Sequence, residues 1–348
     1  MRCWIIDKVC RGGGAYWLHF FLKMKSQIID GFEKIIAPEN LLEAWREFLP
    51  GKRGKRDVQE FGWRLMDNIL SLNSDLTSRR YQHGGYQHFR ISDPKPRDIH
   101  KASVRDRLLH HAIYRQLYPF FDKTFISDSF SCRDSKGTHR AMNRFREFHR
   151  KTSHNNTRQC WILKCDIRKF FANIDHAVLM EILSQYTDDR KLFWLLHEII
   201  ESFSSAPGVG LPLGNLTSQL FVNIYMNEFD QFVKHVLKVK CYVRYADDFV
   251  IFSPNREWLE IVLSEMRTFL ENRLKLELHP RKVSIETISS GVDFLGWVHF
   301  PDHRVLRTAT KRRMMKKLEL NRKPESIQSY RGLLSHGNAY GLRQNLLN

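Results

Sequence analysis

In the stretch VRYADDFVIF, Val243 to Phe252, two adjacent aspartates, Asp247 and Asp248, interrupt a run that otherwise reads as a buried strand. Tyr242 and Val243 stand before them, and Phe249, Val250, Ile251 and Phe252 after, the β-branched and aromatic types that suit a packed sheet. Asp tolerates tight turns, so a hairpin turn is one reading of the pair, although Asn-Gly or Asp-Gly would serve a turn as well. A divalent cation accounts for them better. A third carboxylate, Asp166, sits at the end of another strand-like run, Trp161 to Ile167, where taken alone it reads as a loop or cap residue. Adjacent strands would bring it to Asp247 and Asp248. Three carboxylates in a small volume repel one another unless they are protonated, paired with arginine or bound to divalent cations. Two Mg²⁺ ions about 3.5–4 Å apart, held by aspartates, would stabilise both the attacking 3′-hydroxyl and the leaving pyrophosphate of an in-line phosphoryl transfer.

Charge points the same way. The 348 residues include 56 Lys plus Arg against 38 Asp plus Glu, a formal net charge of +18. Solubility needs far less than this, so a polyanionic partner is expected, with nucleic acid foremost. A hydrophobic fraction of 42% supports a real core. The six cysteines form no C-x-x-C pair and no zinc pattern with the sixteen histidines. Reduced thiols in a cytoplasmic protein are expected. The first residues hold only the short apolar runs CWII and AYWLHFFL, which suit neither a secretory h-region nor a membrane span of about 20 residues.

These residues must be positioned by the elements around them. Residues 1–23 read as an extension of uncertain role, and residues 24–85 as a helical layer in which Pro38 opens a new helix and PGKRGKR forms a basic loop. A strand near Tyr86 to Ile91 precedes a basic, proline-punctuated turn and a helix from about Val104 to Leu117. Asp175 is a plausible N-cap for the helix beginning HAVLMEIL, and GVGLPLGNLTSQLF runs from a glycine- and proline-rich loop into a long helix. After the aspartate pair come a helix from about Arg256 to Leu274, the strand KLELHPRKVSIE, and VDFLGWVHF, read as one strand carrying a glycine. The order describes an antiparallel sheet backed by helices, an α+β fold. Residues 301–348 are basic and helical.

YADD, with KCDIRKFF ahead of it and DFLGW after it, resembles the palm of reverse transcriptases. The resemblance spans roughly residues 86–300 and takes in ISDPKPRDIHKASVRDR, SDSFSCRDSKGTHRA, KCDIRKFFANID, GLPLGNLTSQ, YADD, LHPRKVSI and VDFLGW in that order. It implies a right-hand polymerase fold, with fingers and palm over 86–300 and a short basic helical thumb over 301–348. By position it makes Asp166, Asp247 and Asp248 the catalytic, metal-binding triad for two Mg²⁺ ions, with Mn²⁺ as a substitute and the Ile167 carbonyl as a further ligand. It implies that Lys95 and Arg97 contact the incoming deoxynucleoside triphosphate and that Phe171 is the steric gate against a 2′-hydroxyl. Lys282 and the Phe294-Leu295-Gly296 segment would support the palm and grip the primer end. Lys311, Arg312 and Arg313, with Lys316 and Lys317, would form a helical basic stripe for the RNA/DNA heteroduplex.

One block departs from the common pattern. Most of the family reads Gln-Gly-x-x-x-Ser-Pro where this chain has Leu213, Gly214 and, four residues on from Asn215, Gln219. With KGTHRA and SHGNAYGLRQ, this variant resembles the enzymes of diversity-generating retroelements. Those copy a template-repeat RNA into cDNA with errors opposite adenine, and they work with a small basic helical accessory protein that forms an oligomer. Defence-associated and group II intron types are the alternatives, and a non-catalytic RNA-binding palm is a third.

Overall fold

The computed structural model describes residues 26–92, 96–320 and 322–347. The extension expected over residues 1–23 and the triphosphate contact expected at Lys95 lie outside the described residues. Among the described residues the N-terminal layer forms four helices, α1 (Gly31–Ile36), α2 (Pro38–Phe48), α3 (Arg56–Trp63) and α4 (Leu65–Thr77). Pro38 occupies the first turn of α2, where its missing N–H costs nothing. Leu41, Ala44, Trp45 and Phe48 recur at helical spacing and are buried against α5 (Val104–Asp122). The sequence pattern ends α5 at Leu117, short of Pro119, yet the helix continues to Asp122. Proline removes one ladder bond, and the buried Tyr118 and Phe121 hold the last turn to the core regardless.

Between these layers, β1 (Gln87–Ile91) and β2 (Arg97–Lys101) pair antiparallel with Ile91 opposite Arg97. The base of this exposed hairpin is tied to α3, because Asp57 accepts hydrogen bonds from Lys101 Nζ at 2.6 Å and Arg107 Nη2 at 2.7 Å. Then follow α6 (Thr138–Thr152), β3 (Trp161–Asp166), a 3₁₀ turn at Phe170–Asn173, α7 (His176–Ser184), α8 (Arg190–Glu201) and α9 (Leu216–Gln231). Asp175 caps α7 by accepting from the Val178 N–H at 2.9 Å. The chain continues through β4 (Tyr242–Tyr245), β5 (Asp248–Ser253), α10 (Arg256–Leu274) and β6 (Ser284–Thr287).

The main sheet runs in the order β4-β5-β3-β6, antiparallel throughout. Strand alternation splits its side chains between two cores. Leu163, Cys165, Phe249 and Ile251 face α9 and α10, while Ile162, Val250 and Phe252 face α6. That double coverage explains why β5 is apolar along its length after Asp248 rather than alternating. It also puts Asp166 and Asp248, on the even positions, on the α6 side of the sheet.

VDFLGWVHF is a hairpin rather than one strand. β7 (Val292–Phe294) and β8 (Trp297–His299) fold back on each other through Leu295 at φ 53° and Gly296 at φ 84°, and β9 (Arg304–Leu306) joins them as a third strand. Gly296 supplies one left-handed residue at little cost, which the sequence pattern read as a break in a strand. The C-terminal helices α11 (Thr308–Leu320), α12 (Pro324–Leu334) and α13 (Tyr340–Leu347) enclose a third core of Met142, Trp297, Leu306, Met314, Leu318 and Leu334. Gly337 sits against Trp297 so closely that a Cβ there would lie 2.0 Å from the ring, so no larger residue fits without moving the helices. KLELHPRKVSIE forms a strand only from Ser284, with an isolated bridge at Leu278 before it, since His279 to Lys282 form a turn in which the Lys282 N–H reaches the His279 carbonyl at 3.1 Å.

Candidate active site

Asp166 ends β3 and Asp248 begins β5, and the register sets them directly opposite each other. Asp247 lies in the two-residue turn joining Tyr245 to Asp248, after Ala246 at φ 55°. The turn is stitched to β3 by the Ile167 N–H, which donates to the Asp247 carbonyl at 3.1 Å. Beyond it, Ile167 bridges Leu278 through bonds made by its neighbours: Arg168 N–H to the Glu277 carbonyl, and His279 N–H to the Asp166 carbonyl. The bridge thus leaves the Ile167 carbonyl out of its bonding.

The three carboxylates meet different surroundings. Asp166 accepts a hydrogen bond from Lys282 Nζ at 2.8 Å. Burial raises the Asp247 carboxyl above its ordinary value and the charge of Asp166 raises it further, against its own backbone N–H, Lys282 and Arg97. Arg97 on the β1–β2 hairpin is therefore close enough for its charge to act on this site. Asp248 is pushed up to about 7, first by burial, with Asp247, Asp166 and Asp293 adding to it and Lys164 opposing. Its Oδ1 is enclosed and has no hydrogen-bond partner.

An orphaned carboxylate oxygen and two neighbouring carboxylates with a single lysine ion pair among them fit a hard divalent cation, which takes oxygen ligands. No group of three or more His, Cys, Asp or Glu among the described residues forms a metal cage of its own.

The loop before α9 joins the 3₁₀ turn after β3 to the β1–β2 hairpin. The Leu211 N–H donates to the Phe171 carbonyl and the Gly210 N–H to the Ile174 carbonyl, both at 2.8 Å, while the Leu213 carbonyl accepts from the His100 N–H at 3.1 Å. Leu213 is half-buried and Gly214 is exposed at φ 111°, where a Cβ would press on Ile99 at 3.0 Å. Gln219 is half-buried in the first turn of α9. Phe171 is half-buried, whereas Phe170 beside it is a core residue.

Other expected contacts are arranged differently. Phe294 is fully buried against Phe145, ring centroids 5.4 Å apart, so it supports the β7–β8 turn from within, while Leu295 and Gly296 form the turn itself. On α11, Lys311, Arg312, Lys316 and Lys317 are exposed, and Arg313 and Lys317 line a groove of about 420 Å³ against α12. At 100° per residue, Arg312, Arg313, Lys316 and Lys317 fall within about 140° of one another, with Lys311 apart from them.

Sequence reasoning missed three contributors. Asn215 donates to the His100 carbonyl at 3.4 Å and leaves its own Oδ1 buried without a partner. Lys164 reaches the Asp293 carbonyl, linking Asp166's strand to the β7–β8 hairpin. Arg244 is fully buried behind the aspartate turn.

Comparison with known proteins follows this geometry. A family described as reverse transcriptase (RNA-dependent DNA polymerase) matches residues 92–299. Protein YkfC of Escherichia coli (strain K12) is 27% identical over 324 residues, covering 80% of this chain and 83% of that protein. Group II intron-encoded protein LtrA of Lactococcus lactis subsp. cremoris is 25% identical over 298 residues, covering 65% of this chain and 48% of that protein. Among solved structures, telomerase from Candida albicans aligns with a TM-score of 0.48 at 12% identity, over 71% of this chain and 51% of that one. The match to the family extends over more than half of the chain and takes in β2, the main sheet and the aspartate turn; the chain belongs to the reverse transcriptase family, the RNA-directed DNA polymerases.

Proposed function

We propose that the chain makes DNA on an RNA template by two-metal-ion nucleotidyl transfer, as the error-prone enzyme of a diversity-generating retroelement. The metal reading rests on one observation above all: the Asp166–Asp247–Asp248 cluster carries raised carboxyls and one enclosed, partnerless oxygen. Asp166, Asp247, Asp248 and the Ile167 carbonyl would hold Mg²⁺, or Mn²⁺ in its place. Bound there, the two ions would supply charge stabilisation to the attacking and leaving oxygens. Lys282 orients Asp166 through its hydrogen bond to Oδ1. Arg97 and Lys95 carry positive charge to the triphosphate, and Phe171 closes the sugar pocket to a 2′-hydroxyl. Lys311, Arg312 and Lys316 face outward, where a heteroduplex backbone would neutralise them.

No helix among the described residues is long and apolar enough to cross a membrane, which accords with a cytoplasmic enzyme working on nucleic acid. The exposed basic face of α11 is short for holding a template unaided, so we expect processive synthesis to need a structured RNA and a basic helical accessory oligomer. Long products from the purified chain on any primed RNA would count against that.

The retroelement reading is carried by Leu213. A glutamine there can brace the sugar and the templating pair with its amide, and leucine cannot. One hydrogen bond is worth roughly 0.5–1.5 kcal/mol, which at about 1.4 kcal/mol per tenfold changes discrimination several-fold to roughly tenfold. The Leu213 bond to the fingers uses its backbone carbonyl, so substitution leaves the loop tied. Leu213→Gln, alone or with Gln219→Pro, is expected to preserve polymerisation and to lower misincorporation opposite template adenine more than opposite the other bases. Sequencing cDNA made from one RNA by both proteins checks this. An unchanged adenine error rate would favour the second reading, a group II intron-like or defence enzyme, to which the similarity with LtrA points.

A further inference from the structure

We infer that Arg244 is a positioning residue for the aspartate turn: its buried guanidinium holds the Ala246 backbone and so aims the Asp247 carboxylate. The inference rests on the metal reading above. By strand alternation Arg244 faces α9, on the side of the sheet opposite Asp166 and Asp248, and it is fully buried. Its Nε and Nη2 donate to both oxygens of Asp230, at 2.8, 3.0 and 2.7 Å, and Nη2 also donates to Ser129 Oγ at 3.1 Å. Tyr242 donates its hydroxyl to the same Asp230, which is itself fully buried. Nη1 then remains, and it donates to the Ala246 carbonyl at 3.1 Å and to Asn223 Oδ1 at 3.4 Å.

A buried ion pair is weak evidence for stability, since apolar residues of similar volume often serve a core as well. What an apolar pair lacks is the donor at Ala246. That residue stands at φ 55°, a left-handed conformation disfavoured for a residue with a plain Cβ. The Ala246 carbonyl and the Asp247 N–H belong to one planar peptide unit. Bracing one end orients the other, and the next carbonyl, that of Asp247, is taken by the Ile167 N–H. The turn is therefore pinned on both sides of the Asp247 Cα. Only a guanidinium has enough donors in a rigid fork to satisfy Asp230 and reach Ala246 together.

Arg244→Lys keeps the positive charge against Asp230 and removes the Nη1 donor. The full chain is titrated with Mn²⁺ by electron paramagnetic resonance, and kcat and KM for single-nucleotide extension of a primed RNA are measured alongside. Mn²⁺ affinity and kcat are expected to fall about tenfold, with KM for the primed template unchanged. Adding Ala246→Gly, which adopts the turn's φ without bracing, is expected to restore most of both. Wild-type Mn²⁺ affinity and kcat in Arg244→Lys, or a loss that Ala246→Gly leaves untouched, overturns the inference. Should the lysine variant not fold, Arg244→Met with Asp230→Leu replaces the whole pair by apolar side chains. The same tenfold losses support the inference there, and undiminished kcat overturns it. Failure of the metal reading looks different: the wild type and Asp247→Ala would then take up Mn²⁺ alike.

Discussion

Asp247→Ala, alone or with Asp248→Ala, is expected to reduce Mg²⁺-dependent DNA synthesis at least ~1,000-fold, about 4 kcal/mol of transition-state stabilisation, while the protein stays folded and bound to RNA. The fold should survive because the turn is held by backbone atoms: the Asp247 carbonyl accepts from the Ile167 N–H and the Ala246 carbonyl from Arg244. Removing the carboxylate also relieves its repulsion with Asp166, the charge that raises it after burial. RNA affinity should persist because exposed basic residues such as Lys311, Arg312 and Lys316 lie on α11 rather than at the turn. Single-turnover extension of a primed RNA, with fluorescence anisotropy for binding, separates the two. A variant extending within tenfold of wild type would remove Asp247 from the chemistry.

Asp248→Asn is expected to cost activity and raise stability. The carboxyl is held at about 7 in the fold, against about 3.9 in an unfolded chain, so between those values the folded state binds the extra proton. Wild-type stability therefore falls as pH rises from about 4 to 7 and is constant with respect to this group above that. Asparagine resembles the protonated form and does not titrate. At 1.36 kcal/mol per pH unit the gap reaches at most ~4 kcal/mol, reduced by whatever water reaches the group. In thermal unfolding without divalent cations the variant should melt on the order of 5 °C higher at pH 8 and level with wild type at pH 4. Saturating Mg²⁺ should raise the wild-type midpoint more than the variant's. Equal midpoints at pH 8 would mean that Asp248 carries no unfavourable charge.

Much of this arrangement is written locally in the chain. α10 begins and ends where the sequence places it, because Asn255 caps it by accepting from the Trp258 N–H at 2.9 Å and Lys275 closes it at φ 51°. β3 and β5 are apolar runs long enough to declare themselves, and the aspartates stand out against them. What stays hidden depends on register and tertiary contact. Asp248 standing directly opposite Asp166 follows from strand pairing, which a motif does not contain. The β7–β8 hairpin turns on a left-handed Leu295, a conformation that leucine does not announce. Arg244 reads as one more cation in a chain of 56 Lys plus Arg until Asp230 is seen beside it.

The account's central claim is that the aspartate turn supports metal-dependent synthesis of DNA on RNA. The most direct measurement supplies the purified chain with one primed RNA, four deoxynucleoside triphosphates and Mg²⁺, supplemented with its accessory protein if extension proves short, and sequences the product. The account predicts DNA complementary to the template, formed with Mg²⁺ or Mn²⁺, absent with a chelator and absent with Asp166→Ala. Product that forms without divalent cation, that ignores the template sequence, or that Asp166→Ala makes equally well would contradict it.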